Sequence, residues 1–276
     1  MGSSARPSSS TLAVGLLGLG EAGSAIAAGL REAGVRVRAW DPVAGAADGI
    51  ELVGAAEDVT GGSAAVLSVN SAQAALEAAR AVAPALEPGQ LFADLNTASP
   101  RRKRDVAKAI EPTGAAFADV ALLSPVPGRG LRTPAIVSGP GARRFVELFG
   151  PLGMPVEEIG EEVGAAAARK LVRSVFMKGL AAALAESLAA AEAAGCGEWL
   201  VAEAARTLEE ADGALVERLI EGSRAHAVRR AHEMEEATAL LRELRIEPRI
   251  AAAAERWLSG LAAEERARAR EALGVS

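Results

Sequence analysis

Hydrophobic residues in the first part of the chain fall into short continuous runs, separated by stretches with helical spacing. The runs predict strands at 12–17, 35–40, 49–53, 64–69, 90–94, 115–120, 134–138 and 155–159. The stretches between them predict a helix carrying Ile26, Ala27 and Leu30, and further helices at 55–59, 72–82, 99–110 and 141–149. Such alternation is typical of an α/β fold with a mostly parallel sheet and helices on both faces.

From about residue 164 onward the pattern is helical throughout. Alanine-rich stretches predict helices at 165–194, 199–211, 214–245 with a possible break at Gly222, and 248–273. Twelve of the 13 prolines stand at or before Pro155, which leaves the second part free to form long helices. We therefore predict an α/β domain at 11–162 and an all-α helical domain at 163–276, the latter serving substrate binding and dimerisation. A serine-rich leader at 1–10 is expected to be disordered.

A glycine-rich segment joins the first predicted strand to the first helix. Gly18, Gly20 and Gly23 have the spacing G-x-G-x-x-G. The first glycine permits a sharp turn, the second lets a pyrophosphate approach the backbone, and the third lets the helix pack closely on the sheet. Free N–H groups at the helix N-terminus then hold the phosphates. The first domain is therefore predicted to be a Rossmann-type, dinucleotide-binding domain whose turn consists of Gly18, Leu19, Gly20, Glu21, Ala22 and Gly23.

An acidic residue ends the second predicted strand. Asp41 is placed to accept hydrogen bonds from an adenosine ribose, and its charge would repel a 2′-phosphate. This favours NAD, although Arg36 and Arg38 on the same strand leave NADP open. Ligands bind at the carboxyl edge of a parallel sheet, where we expect further cofactor contacts from residues that end or follow other strands. These are Val69, Asn70 and Asn96, with Thr97 next to them.

Composition and charge narrow the class of protein. Half of the residues are hydrophobic (50%), and the net charge of −6 argues against nucleic acid and anionic membranes as partners. Charged residues interrupt every alanine-rich helix, so no membrane span is expected. The single cysteine, Cys196, allows no internal disulfide, favours the cytoplasm, and is expected to be a small buried or half-buried filler. The basic run at 101–104 is expected to be a solvated helix face.

A nicotinamide enzyme needs a general acid or base near the carbon that exchanges hydride. Histidine is the usual choice, but both histidines lie in the helical part. Lys170, Arg173, Ser174 and Lys178 have spacings that place them on one stripe of the long helix. A desolvated lysine beside other cations has its charged form disfavoured, which suits a base. The alternative is a set of surface charges whose stems lie along the helix.

His226, Arg229, Arg230 and Glu233 form a second set with the spacing of one helix face. They predict either an anion-binding patch, which could reach the cleft of a partner subunit, or a solvated salt-bridge face. His232 lies too far round the helix from His226 to form a two-histidine metal site, and no metal site is predicted.

Three motifs, in order along nearly the whole chain, resemble those of the β-hydroxyacid dehydrogenases, which include 3-hydroxyisobutyrate and 6-phosphogluconate dehydrogenases. They are the glycine turn at 18–23, the segment Asp-Leu-Asn-Thr-Ala-Ser-Pro at 94–100, and the segment 164–174. The second half is most similar to a branch with a phosphogluconate-dehydrogenase-like C-terminal domain of poorly known function. The resemblance implies that Lys170 is the general base of alcohol oxidation and that Thr97 and Ser124 lie at or near substrate-contact positions.

Two positions depart from the family pattern. Ser174 stands where the family usually carries an asparagine four residues after the lysine, and residues 119–130 replace the usual loop Asp-x-Pro-Val-Ser-Gly-Gly. A serine hydroxyl can still donate one hydrogen bond but reaches less far. The departures therefore bear on the substrate more than on the reaction. Besides Ser174, the side chains expected to bind a carboxylic acid or phosphate substrate are Arg173, Lys178, His226 and Arg230.

The first function predicted is NAD(P)-dependent oxidation of a small 3-hydroxy acid, or its reverse. An imine or ketone reductase of the same architecture is the second, and the presence of Lys170 counts against it because those relatives commonly replace the lysine. A cofactor-binding protein without catalysis is the third, supported only by Ser174 in place of asparagine. The long apolar helical domain also predicts a homodimer formed through that domain.

Overall fold

The computed structural model describes residues 12–43, 45 and 48–272. The chain divides into two compact units, Met1–Arg173 and Ser174–Ser276. The predicted leader at 1–10 and the last residue of the helix predicted at 248–273 lie outside the described residues. The domain boundary predicted at 162/163 marks the change in composition and stays a prediction.

Within the described residues, the first unit contains one mostly parallel sheet. Its strands are β1 (Ala13–Leu17), β2 (Arg36–Trp40), β3 (Glu51–Leu52), β4 (Ala65–Ser68), β5 (Leu91–Asp94), β6 (Ala116–Leu122), β7 (Ala135–Ser138) and β8 (Val156–Glu158), and its helices are α1 (Glu21–Glu32), α2 (Ala75–Val82), α3 (Pro100–Ile110) and α4 (Ala142–Phe149). The strand order is β3-β2-β1-β4-β5-β6-β7-β8. Only the β6–β7 pairing is antiparallel among these strands. The predicted α/β architecture is therefore confirmed.

Helices cover both faces of the sheet because successive side chains of a strand point to opposite faces. Leu16 lies in one buried cluster with Ile26 of α1 and Phe149 of α4. Leu17, the next residue, lies in a second buried cluster with Val82 of α2 and Ile110 of α3. Burying a side chain of this size stabilises the fold by about 1.5–3 kcal/mol. The two cores together fix the sheet between α1 and α4 on one side and α2 and α3 on the other.

The ends of four parallel strands lie level with one another. Leu17 of β1 pairs with Ser68 of β4, Ser68 with Asp94 of β5, and Asp94 with Asp119 of β6. The segments that follow Leu17, Ser68 and Asp94 therefore leave the sheet along one edge. This edge is where ligands of parallel α/β sheets bind.

The rest of the described chain is helical. It comprises α5 (Ala165–Ala193), α6 (Gly197–Glu209), α7 (Gly213–Ala225), α8 (Ala227–Glu243) and α9 (Arg249–Ala272). The helix predicted at 214–245 is interrupted at His226, where φ is −125° and ψ is 28°, and the predicted break at Gly222 is wrong. Gly222 stays helical inside α7, where an added Cβ would lie 2.9 Å from the guanidinium of Arg230. The glycine therefore makes room for a side chain.

Charged residues interrupt α5 as predicted, among them Arg173, Lys178 and Glu186, but the expectation that they leave no helix long and apolar enough for a membrane span is wrong. Among the described helices, α5 is long and apolar enough to cross a membrane by length and composition alone. Core helices of soluble proteins pass the same test, but they are mostly buried, whereas only 11% of this apolar stretch is buried in the chain. α5 is therefore a largely exposed apolar helix.

Candidate cofactor and active site

The glycine turn between β1 and α1 has the geometry of a phosphate cradle. Gly18 has φ +104°, donates to the carbonyl of Trp40 at 2.9 Å, and has no room for a side chain beside the carbonyl of Val69. A side chain at Gly23 would collide with the carbonyl of Gly18. At Gly20 an added Cβ would meet no atom within 4 Å, and no described side chain caps the N-terminus of α1. The space beside Gly20 is therefore open, and the N–H groups at the start of α1 are uncapped. Binding of a dinucleotide's phosphates requires both features.

Asp41 borders this turn at the end of β2. Its Oδ2 accepts a hydrogen bond from the N–H of Leu19 at 2.7 Å, and its Oδ1 accepts one from the N–H of Val43 at 2.9 Å. Arg38 lies three residues before Asp41, in β2, where its guanidinium donates to Glu51 at 3.0 Å and to two main-chain carbonyls. A negative charge therefore lies beside the turn, and Arg38 is bonded elsewhere. Glu21 and Ala22, also predicted to contact the cofactor, form the first turn of α1.

Two asparagines bond to each other across the ends of β4 and β5. Asn96 Oδ1 accepts from the N–H of Asn70 at 2.7 Å, and Asn96 Nδ2 donates to Asp94 Oδ1 at 2.6 Å and to Ser68 Oγ at 3.0 Å. Asn70 is exposed, whereas Asn96 and the neighbouring Val69 are buried. The structure thus brings the predicted residues together at the sheet edge, and their contact with a cofactor stays a prediction.

A buried lysine lies behind these amides. Lys103 of α3 is 1% exposed, and its ammonium group donates to the Asp94 carbonyl at 2.7 Å and lies 3.2 Å from Asp94 Oδ2 and from Asp119 Oδ1. The predicted solvated face at 101–104 is therefore wrong at this position, although the three arginines beside Lys103 are exposed. Helical spacing could have indicated the burial of Lys103, because Lys103 shares the inward face of α3 with the buried Val106 and Ile110.

The first turn of α5 is bonded to the same cluster. The N–H of Ala166 donates to Ser138 Oγ at 3.1 Å, and the N–H of Ala167 donates to Asp119 Oδ2 at 3.0 Å. Lys170 follows four residues after Ala166 and three after Ala167, on the same face of the helix, and is half-buried. The lysine singled out from the sequence thus lies on a helix whose start is tied to the sheet edge.

The other predicted substrate residues differ in exposure. Thr97 is exposed in the segment after β5, and on α5 Arg173 and Lys178 are exposed while Ser174 is half-buried. Ser124, in the segment after β6, has a hydroxyl that is shielded from solvent and makes no hydrogen bond within the part of the chain that the structure describes. A role for any of them in substrate binding stays a prediction.

The second predicted set lies where α7 meets α8. His226 is exposed between the two helices. Arg230 donates to Ser223 Oγ at 2.8 Å, and Arg229 lies 3.4 Å from Glu233. Each arginine therefore has a partner within the helical unit, and anion binding by this set stays a prediction.

Cys196 lies at the N-terminal end of α6. It is exposed, so the expectation of a buried or half-buried filler is wrong. Gly195 has φ +77° and turns the chain between α5 and α6, and such short connections run over the surface. Within residues 12–43, 45 and 48–272, no three His, Cys, Asp or Glu side chains are grouped as a metal ion would need.

Two domain families match the chain. Residues 13–128 match the NAD binding domain of 6-phosphogluconate dehydrogenase, and residues 191–261 match a domain of unknown function, DUF1932. A curated relative, an uncharacterized 28.5 kDa protein in the 7S RNA 5′ region of Methanothermus fervidus, is 33% identical over 149 residues. That match covers 52% of this chain and 55% of the relative, so the chain aligns with about half of the relative's length.

Solved structures are similar over most of the chain. Conserved protein MTH1747, of unknown function and described as structurally similar to 3-hydroxyacid dehydrogenases, is 30% identical with a TM-score of 0.60, over 91% of this chain and 96% of that one. An imine reductase from Myxococcus stipitatus in complex with NADP+ is 20% identical with a TM-score of 0.79, over 91% and 94%. Its V8 variant is in complex with NAD+. At that identity the likeness shows the fold alone.

These matches agree with the glycine turn and the sheet order, which are those of an NAD(P)-binding dehydrogenase or reductase. The two matched domains also follow one another in the order that the sequence motifs indicate. The chain belongs to the β-hydroxyacid dehydrogenase family, in the branch that joins the NAD-binding domain of 6-phosphogluconate dehydrogenase to a C-terminal domain of unknown function.

Proposed function

We propose that this protein is an NAD-dependent oxidoreductase that transfers hydride between nicotinamide and the hydroxyl carbon of a small 3-hydroxy acid, with Lys170 as general acid/base. The observation that carries the proposal is the bond from Ala167 to Asp119, three residues before Lys170. Asp119 lies level with Leu17, which precedes the glycine turn. Three strand spacings, about 15 Å, separate the two. A dinucleotide with its pyrophosphate at the turn would extend along this edge.

The chain's own part in the reaction is proton transfer. The nicotinamide, when bound, supplies the hydride exchange. In the oxidation direction the amine of Lys170 accepts the proton of the substrate hydroxyl. In the reduction direction the ammonium group of Lys170 returns a proton to the carbonyl oxygen. One side chain thus serves both directions.

The substrate's carboxylate would be bound by polar groups near Lys170 in sequence or at the same sheet edge. Arg173 and Ser174 follow Lys170 by three and four residues, so they are its neighbours on the surface of α5. A guanidinium group suits a carboxylate because it can donate two parallel hydrogen bonds. Thr97 and Ser124 would add hydroxyl donors, and the Ser124 hydroxyl has no bonded partner among the described residues.

The corner beside the glycine turn supports NAD as the preferred cofactor. A 2′-phosphate there would lie near the carboxylate of Asp41, and like charges repel. The segment 41–50 contains no lysine or arginine that could neutralise it. Arg38, the cation closest in sequence, already donates to Glu51 and two carbonyls. The free hydroxyl groups of the NAD ribose meet no such repulsion.

Turnover by Lys170→Ala tests the proposal. NAD or NADP reduction is followed at 340 nm with a panel of 3-hydroxy acids that includes phosphorylated sugar acids. Loss of a general base should lower kcat by about a hundredfold or more. Lys108→Ala is the matched control, because Lys108 is an exposed lysine of α3. Normal turnover by Lys170→Ala would refute the assignment of the base.

Reduction of a C=N bond is the second candidate, because imine reductases share this fold at 20% identity. Ser174 and the altered segment after β6 would suit a substrate other than a hydroxy acid. Turnover of cyclic imines, together with no turnover of any hydroxy acid, would support this second candidate and contradict the first proposal. Cofactor binding without turnover on either panel would favour a non-catalytic protein.

We further propose that the protein is a cytoplasmic homodimer formed through its helical domain. Large apolar side chains are exposed on α5, α6 and α9, among them Phe176 at 65%, Trp199 at 64% and Trp257 at 56%. Apolar surface of this kind marks an interaction site. A second copy would cover it on both protomers at once, because a two-fold interface uses the same surface twice.

A further inference from the structure

We propose that Lys103 is a positioning residue: it holds the Asn70–Asn96 pair and the first turn of α5 in fixed places, and thereby sets the position of Lys170 at the sheet edge. The inference rests on the proposed function, in which Lys170 transfers the proton. Lys103 itself is only 1% exposed, which leaves no surface for contact with a ligand at the sheet edge. Its effect is therefore exerted through the groups bonded to it.

The ammonium group of Lys103 has three close oxygen neighbours. It donates a hydrogen bond of 2.7 Å to the carbonyl of Asp94 and forms ion pairs of 3.2 Å with Asp94 Oδ2 and with Asp119 Oδ1. Both aspartates are 0% exposed. One hydrogen bond and two ion pairs therefore tie Lys103 to two neighbouring strands.

Hydrogen bonds connect Asp94 to Asn96 and Asn70, which are predicted to contact the cofactor. Asp94 Oδ1 accepts from the N–H of Asn96 at 3.0 Å and from its side-chain amide at 2.6 Å. Asn96 in turn accepts from the N–H of Asn70 at 2.7 Å. Lys103 is thus two bonded groups away from the loop that follows β4.

Hydrogen bonds also connect Asp119 to the first turn of α5, the helix that carries the predicted base, Lys170. Asp119 Oδ2 accepts from the N–H of Ala167, and Ser138 Oγ accepts from the N–H of Ala166 and lies 3.4 Å from the same carboxylate oxygen. Two adjacent N–H groups held by two different acceptors fix both the rotation and the axial position of α5. The carboxylate also meets the positive end of the helix dipole. Lys170, one turn further on, is oriented as a result.

Stability alone is a weak reason for such a cluster. Removing three charges from water costs several kcal/mol per ion, and well-packed apolar residues of similar volume are often as stable or more stable. A cluster with one ammonium and two carboxylates instead specifies a geometry, since each acceptor has a set direction. In this protein, that geometry links the Asn70–Asn96 pair, predicted to contact the cofactor, to the helix that carries the predicted base, Lys170.

Ser138→Ala is a small change that removes the hydroxyl between Asp119 and the first turn of α5. The matched control is Ser63→Ala, because Ser63 is also a buried serine whose hydroxyl donates a hydrogen bond, at 2.7 Å to the carbonyl of Val59, but it precedes β4 at the opposite edge of the sheet. The probe is acetic anhydride, added in trace amounts to the full chain without cofactor. Mass spectrometry then gives the acetylation rate of Lys170 relative to the exposed Lys108.

We expect Ser138→Ala to change the relative acetylation rate of Lys170 about threefold or more, and Ser63→Ala to leave it unchanged. With an active substrate, kcat should fall by about tenfold to a hundredfold while KM for the cofactor changes little, because small displacements of reacting groups have effects of this size. Lys103→Met should give the larger change if it folds. Should it not fold, Ser138→Ala decides.

The inference is overturned if Ser138→Ala behaves like Ser63→Ala in both acetylation and kcat. Failure of the proposed function looks different, since Lys170→Ala would then keep its turnover. In that case the acetylation rates would still report whether the cluster positions Lys170.

Discussion

Asp41 Oδ2 accepts a hydrogen bond of 2.7 Å from the N–H of Leu19, so the acidic residue at the end of β2 is bonded to the glycine turn itself. Asp41→Ala should therefore both loosen the turn and remove the charge that disfavours a 2′-phosphate. We expect weaker binding of NADH and a ratio of NADPH to NADH affinity that rises about tenfold, equivalent to about 1.4 kcal/mol. Fluorescence titration with both reduced cofactors measures the ratio.

Asp48→Ala is the control for this substitution. Asp48 carries the same charge, lies in the segment after Asp41 and is exposed. A similar rise in the ratio for Asp48→Ala would mean that general charge, and not the position of Asp41, sets the cofactor preference.

Glu186 predicts a pH dependence of stability in the helical unit. Its carboxylate accepts from three successive N–H groups at the start of α9, those of Arg249, Ile250 and Ala251, at 2.7 to 3.1 Å. Burial raises the pKa of Glu186, but the three hydrogen bonds and the charge of Arg249 lower it more, so the pKa lies below its ordinary value of 4.5. The folded state therefore binds this proton less tightly than the unfolded state does.

A lowered pKa in the folded state gives stability that is present above the unfolded value and is lost as the pH falls through the folded value. Glu186→Gln should be less stable than wild type by about 1 kcal/mol at pH 7, as for loss of a helix cap. The difference should shrink as the pH falls below 4.5. Urea unfolding at several pH values measures it, with the exposed Glu192→Gln of the same helix as control. A difference that stays constant down to pH 3 would contradict the assigned cause.

The sequence predicted those features that depend on neighbours along the chain. Periodicity predicts a helix at 99–110, which the structure has at Pro100–Ile110, and the glycine turn follows from three closely spaced residues. The burial of Lys103 does not follow from such patterns, because its partners, Asp94 and Asp119, come from two strands distant in sequence. Each partner alone looks like an ordinary acidic residue until the sheet places the two carboxylates in adjacent strands at one level.

The helical unit shows the same limit. Glu186 caps the N-terminus of α9 although it lies 64 residues before Ile250. A cap that comes from so far along the chain leaves no short-range pattern in the sequence. Gly222 suggested a helix end, yet the guanidinium of Arg230 occupies the space above it. Local patterns identify elements because their hydrogen bonds are local, whereas side-chain partners across elements depend on packing.

Thr238 of α8 offers a stabilising substitution. It is 1% exposed, and its hydroxyl makes no hydrogen bond within the described part of the chain. A buried polar group without a partner costs about 1–3 kcal/mol. Thr238→Val keeps the branched shape and removes the hydroxyl, so the free energy of unfolding should rise by about 1 kcal/mol. Thr238→Ala should lower it by leaving a cavity, and a loss of stability in Thr238→Val would show that the hydroxyl is bonded in solution.

The exposed apolar face of α5 predicts a dimer and not a membrane span. Lys178 lies one residue from the midpoint of Ala165–Ala193, where a bilayer-spanning helix would place it in the hydrocarbon centre. A charge there costs at least about 2.5 kcal/mol. At the rim of a protein interface the same side chain can keep its ammonium group in water.

Size-exclusion chromatography with light scattering, in buffer without detergent, should therefore give twice the chain mass of 28.0 kDa. Phe176→Glu should shift the protein toward the monomer, because Phe176 is 65% exposed on α5 and a buried charge would oppose association. Val43→Glu is the control, since Val43 is an exposed apolar residue of the first unit, after β2. A wild-type monomer, or recovery from the membrane fraction only with detergent, would contradict the proposed dimer. A monomeric Val43→Glu would move the interface away from α5.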